Sequence, residues 1–285
     1  MRSGNFPDRA MPLSVIENRR SALRLALTFI GALAMLAAAA GPTRAPGDGF
    51  AAETYSGSSG LTLPYRLFVP DTRLRTQPLP LIIFLHGAAG AGNDNRRQLQ
   101  GGNFQGSHIW ITPAAQAQHP AYVIAPQIPP DNAWAASDSS QLSPYAELVF
   151  DLLSDLERKY SIDTDRIYVV GQSLGGMGVW DLISKRPSCF AAAVPVCGSG
   201  DVATVSAAKS VPVWAFHGAK DEVVPVAGSR ELVATLKAAG GTVKYTEYPN
   251  GQHDVWTIAF ADPELFQWLF SQKRSPHPTD NGRTY

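Results

Sequence analysis

Apolar residues along this chain come in short bursts separated by amphipathic stretches. Leu79 to Leu85 is a continuous apolar run, the pattern of a central strand covered on both faces. Leu61 to Val69 alternates enough to predict one or two earlier strands, and Tyr122 to Ala125 resumes the sheet. Four further strands are predicted at Arg166 to Val170, Phe190 to Cys197, Val211 to Phe216 and Thr242 to Tyr248. Helical spacing fills the gaps. Ser143 can cap a helix with Pro144 in its first position and Leu148, Val149, Leu152, Leu153 and Leu156 as its apolar stripe. A helix over Gly178 to Lys185 follows the strand ending at Val170. Another carries Leu232, Val233 and Leu236 and stops at Gly240-Gly241, and the last starts at Asp262-Pro263. Strands alternating with helices predict an α/β fold, a mostly parallel doubly wound sheet in one domain over residues 58–273. Residues 41–57 read as a flexible lead-in and 274–285 as a disordered tail. From Gly87 to Pro120 no period is visible, and a loop that long is expected to be a lid or binding segment.

The first forty residues stand apart. Arg19, Arg20 and Arg24 precede an uncharged run of 17 residues from Leu25 to Gly41, and Ala38-Ala39-Ala40 offers a small-residue cleavage site. This is the layout of an export signal over 1–40, with a loose twin-arginine match at Asn18 to Arg24. The alternative, a retained anchor, needs roughly 20 apolar residues to span a bilayer. Cleavage would remove five Arg and two acidic residues, leaving 245 residues with net charge −3. Such a chain has no basic footprint for nucleic acid and no reason for stable membrane insertion, and a secreted or periplasmic location is expected. The only cysteines, Cys189 and Cys197, flank a run that reads as extended, about 26 Å long, which predicts two buried free thiols. Two cysteines are also too few for a cysteine zinc site, and without His-Glu-x-x-His no catalytic metal is expected.

Chemistry concentrates at Gly171-Gln172-Ser173-Leu174-Gly175. Preceded by a β-branched run and followed by a helix, this Gly-x-Ser-x-Gly is a candidate nucleophile elbow, with Ser173 lifted above the sheet edge. The turn would aim the Leu174 N–H at a developing oxyanion. The loop after the central strand, His86-Gly87-Ala88-Ala89, would supply a second donor, Ala88 ahead of Ala89. A serine needs a base, and the base an acid that fixes its tautomer. Two later strands run into His217-Gly218-Ala219-Lys220-Asp221 and Asn250-Gly251-Gln252-His253-Asp254, so Ser173, Asp221 and His253 follow in hydrolase order. Glu222 is the rival acid and His217 the rival base, although His217 abuts its strand like a structural residue. His86 is expected to shape the oxyanion loop. Trp134 and Trp256 are candidates for an aryl or acyl pocket, the alternative being core or cleft wall.

The run Arg166 to Gly178, together with Phe190 to Asp201, His217 to Pro225 and Tyr245 to Trp256, resembles bacterial secreted esterases of the prolyl-oligopeptidase-like group. These neighbour polyhydroxybutyrate depolymerases and feruloyl esterases within the α/β-hydrolase superfamily. The resemblance implies an α/β-hydrolase fold, Ser173 as nucleophile, Asp221 as acid, His253 as base, no cofactor, and hydrolysis of a small-molecule or polymer-borne ester. The run of residues 58–273 predicts neither a propeller domain nor a substrate-binding module, which weighs against the peptidase and polymer readings. A peptidase and a non-catalytic module on the same fold are the alternatives; the latter would be expected to lose a member of the Ser173, Asp221, His253 set.

Overall fold

A computed structural model of the chain describes residues 49–71, 76–138 and 140–274, all within one unit spanning 44–285. The expected export signal at 1–40 lies outside the described residues. Eight strands form one sheet: β1 (Ala51–Ser56), β2 (Thr62–Phe68), β3 (Leu79–Leu85), β4 (Tyr122–Pro126), β5 (Ile162–Gln172), β6 (Ala192–Val196), β7 (Val213–Gly218) and β8 (Val243–Tyr248). Their order is β1-β2-β4-β3-β5-β6-β7-β8. The β1–β2 and β2–β4 pairs are antiparallel and every later pair is parallel.

Every residue of β3 is buried, and its side chains divide by parity. Leu81, Ile83 and Leu85 join the core on one side, while Ile82 and Phe84 join the core on the other. The first core packs α3 (Pro144–Lys159), α4 (Leu174–Lys185) and α5 (Val226–Ala238) through Leu152, Leu156, Leu182 and Leu232. The second packs α6 (Trp256–Ala259), α7 (Pro263–Ser271) and the segment around Trp110 through Ala259, Phe260, Leu265 and Leu269. Ser143 Oγ accepts from Ala146 N at 3.1 Å and Pro144 opens α3, as the cap signal requires.

Three expectations need correction. The flexible lead-in over 41–57 is wrong from Ala51 onward, because Ala51–Ser56 pairs residue for residue with β2 as an edge strand. At the other end Arg274, assigned to the tail, is anchored: its backbone N–H donates to Asp165 O at 2.9 Å and its guanidinium to Asp165 Oδ1 at 2.8 Å. The stretch from Gly87 to Pro120 is a chain of short turns and helices, including α1 (Phe104–His108) and α2 (Pro113–Gln118). Each piece is too short to print a period, and Thr112 Oγ1 caps α2 at Ala115 N. Cys189 and Cys197 are both buried thiols outside any disulfide; Cys189 sits in a 3₁₀ turn ahead of β6 and Cys197 just beyond it.

Candidate active site

Strand β5 ends at Gln172 and α4 begins at Leu174, leaving Ser173 alone in the turn at φ 54°, ψ −120°. A non-glycine residue rarely holds positive φ, and here the turn is clamped: Ser173 N donates to Val196 O at 2.8 Å and Met177 N to Ser173 O at 3.0 Å. The flanking glycines are demanded by backbone approach. A Cβ on Gly171 would lie 2.6 Å from Gly175 O, and one on Gly175 only 1.9 Å from Leu85 O.

Ser173 Oγ lies 2.8 Å from His253 Nε2, and His253 Nδ1 lies 2.7 Å from Asp221 Oδ2. The second Asp221 oxygen, Oδ1, accepts from Val223 N at 2.9 Å and Val224 N at 2.8 Å. Burial alone would raise this carboxyl, but the bonds from His253 and the two N–H groups outweigh it and hold Asp221 below the ordinary carboxylate range. An ionised Asp221 fixes the His253 Nδ1–H tautomer, which turns a bare Nε2 toward Ser173. Glu222 is exposed, whereas the Asp221 side chain is fully enclosed.

The oxyanion candidates sit on either side. Leu174 and Ala88 each open a helical turn, where backbone N–H groups lack intrahelical partners. Gly87 N is taken by Asn103 Oδ1 at 2.9 Å, and a Cβ on Gly87 would stand 3.5 Å from Ser173 Cβ, so the two turns are adjacent. His86 lies beneath this loop with no exposed surface. Its Nδ1 meets Gly87 O at 2.8 Å and its Nε2 accepts from Ile128 N at 3.2 Å; burial pushes it down to about 4, so it stays neutral.

The two tryptophans part company. Trp256 stands edge-on to His253, ring centres 5.2 Å apart, with its indole against Gly102. Trp134 does not reach the surface at all and is corrected to a core residue. Its Nε1–H donates to His86 O at 3.1 Å and its ring packs edge-on against the His86 ring at 5.1 Å. Sequence reasoning missed Asn103 and Gln172. Gln172 Nε2 donates to Gly102 O at 2.8 Å and so ties the serine turn to the wall carrying Trp256. Its only sequence signal is its place beside the serine.

Donor atoms of Cys197, His217 and Asp221 lie within 4.8 Å of one another. Both His217 nitrogens are already engaged, Nδ1 with Ser229 Oγ at 2.7 Å and Nε2 with Val224 O at 2.9 Å. His217 is thus tied into hydrogen bonds on both sides behind Asp221.

Residues 72–266 match the family described as Phospholipase/Carboxylesterase. A solved thermostable esterase is 39% identical, with a TM-score of 0.76 over 80% of this chain and 64% of its own. The putative esterase NocK of Nocardia uniformis subsp. tsuyamanensis is 28% identical over 193 residues, 64% of this chain and 52% of that protein. Feruloyl esterase B of Neurospora crassa is 26% identical over 161 residues, 55% of this chain and 51% of its own. The chain thus spans about half the length of these two relatives. Among the described residues, no helix is long and apolar enough to cross a membrane.

Proposed function

The chain belongs to the phospholipase/carboxylesterase family, and on that premise we propose that it is an exported serine carboxylesterase working through an acyl-enzyme on Ser173. Ser173 Oγ attacks the ester carbonyl while His253 Nε2, 2.8 Å away, takes its proton. Asp221 balances the imidazolium through Nδ1. The carbonyl oxygen, now an anion, faces the N–H groups of Leu174 and Ala88, each such donor contributing about 3 kcal/mol in the transition state. Collapse breaks the ester C–O bond, and the alcohol leaves with the proton held by His253. Water then attacks the acyl-Ser173 with His253 accepting its proton, and the acyl–Oγ bond breaks as His253 returns that proton to Ser173 Oγ and the carboxylic acid is released.

One observation carries this reading: the unbroken relay of 2.8 and 2.7 Å from a serine held at positive φ to an enclosed carboxylate. Trp256 beside His253 and Gly102 favours an ester with a flat or apolar group near the scissile bond. Export rests on the layout of residues 1–40. The test is Ser173→Ala, expected to lower kcat on p-nitrophenyl esters by about four to six orders of magnitude in a folded protein. Retention of more than about a tenth of turnover would remove Ser173 from the role.

A further inference from the structure

Behind Asp221 lies a buried histidine that the reaction sequence does not use. His217 ends β7 with no exposed surface, and Ser229 of α5 is almost equally enclosed. His217 Nε2 faces two acceptors, Val224 O at 2.9 Å and Asp221 Oδ2 at 3.2 Å. His217 Nδ1 meets Ser229 Oγ at 2.7 Å, and that same hydroxyl lies 2.8 Å from Gly198 O, which can only accept.

The protons in these contacts can be counted. With a proton on Nε2 alone, the single hydroxyl proton of Ser229 must serve both Nδ1 and Gly198 O. One contact below 3 Å then sets lone pair against lone pair. A proton on Nδ1 alone repairs that end but turns a bare Nε2 toward a carbonyl and a carboxylate. Shifting a proton onto Asp221 instead is opposed by the His253, Val223 and Val224 bonds that stabilise its anion. Protons on both nitrogens satisfy everything: Nδ1–H donates to Ser229, Ser229 donates to Gly198 O, and Nε2–H is shared by Val224 O and Asp221.

We infer that His217 carries a proton on both ring nitrogens, forms a buried ion pair with Asp221, and acts as the positioning residue of the catalytic acid. A buried charge is tolerated only when paired and hydrogen-bonded, and this one has both. The other ionisable neighbours fit. Glu247 on β8, the register partner of His217, is neutralised by a two-pronged Arg230 bond at 2.6 and 2.9 Å. Cys197, from the end of β6, is a buried thiol pushed up to about 12 by burial and by Asp221, so it stays uncharged. Asp221 Oδ2 is therefore shared by two imidazoles, His253 in front and His217 behind. The pairing holds Asp221 ionised and oriented even while His253 is neutral.

The inference rests on Asp221 being the acid, and its test separates the two. Protein labelled with ¹⁵N-histidine is examined by NMR at a pH on the activity plateau, where His253 must be neutral to act. The His217 ring, assigned through its cross-peaks to Val224 and Ser229, should show two protonated nitrogens with slowly exchanging protons. A single bare ring nitrogen there overturns the inference. In His217→Gln the lost cation leaves more of the Asp221 charge to His253 and removes a repulsive neighbour. Both effects push the acid limb of kcat/KM upward, by roughly half a pH unit or more. A folded variant that loses turnover without moving the limb also overturns it; if the variant does not fold, the spectrum decides. Should Asp221→Asn keep full turnover, the assignment of the acid fails, whatever the His217 ring shows.

Discussion

Replacing Trp134 by phenylalanine separates a core tryptophan from a pocket tryptophan. The side chain is wholly buried, donates Nε1–H to His86 O at 3.1 Å, and stacks edge-on against the His86 ring at 5.1 Å. Phenylalanine leaves the His86 carbonyl unpaired inside the protein, a loss of about 1–3 kcal/mol. The smaller ring also leaves a small void in the core where the fully buried indole stood, adding about 1 kcal/mol. The sum, roughly 2–4 kcal/mol, lowers Tm by roughly 5–15 °C for a domain of this size. Calorimetry would read that shift, and KM across p-nitrophenyl acetate, butyrate and octanoate would read the pocket. Trp134→Phe should lose stability with its chain-length preference unchanged, while Trp256→Ala should change the preference. An unshifted Tm with altered preference in Trp134→Phe would refute the reasoning and return Trp134 to the pocket.

Asp221→Asn should cut kcat by about four orders of magnitude, because an amide can fix the wrong His253 tautomer; Glu222→Gln should stay near wild type, and the reverse pattern would make Glu222 the acid. Asp221 titrates below its unfolded value near 3.9, so its contribution to stability is present above about pH 4 and is lost as pH falls through the lower folded value. Tm measured across that acid range should therefore fall less steeply in Asp221→Asn than in wild type; equal slopes would deny the coupling. Gly175→Ala drives a Cβ to 1.9 Å from a backbone oxygen that cannot step aside, so the protein should fail to accumulate or lose more than about 4 kcal/mol, read by urea titration. Thiol titration should find no reactive sulfhydryl in the native protein and two after denaturation, since both cysteines are buried and the Cys197 thiolate is disfavoured.

What the sequence revealed tracks how local each signal is. Ser173 is legible because strand, glycine pair and helix are contiguous, and α3 because Ser143 and Pro144 announce it. His217 reads as structural from its place directly after a strand, though nothing there foretells the Ser229–Gly198 contacts. Strand β1 is invisible because six residues at a half-exposed edge become a strand only by pairing with β2. Trp134 fails for the same reason, since its burial is set by a hydrogen bond to a residue 48 positions away. Asn103, holding Gly87 N across 16 residues of aperiodic turns, leaves no trace in spacing.

The central claim is that Ser173 is the nucleophile, activated by His253. Intact-mass measurement after brief treatment with a fluorophosphonate tests it most directly. One adduct per chain is expected, mapped to the peptide holding Gly171 to Gly175, absent in Ser173→Ala and formed far more slowly in His253→Ala. An adduct on another residue, or an active wild-type enzyme that forms none, would contradict the account.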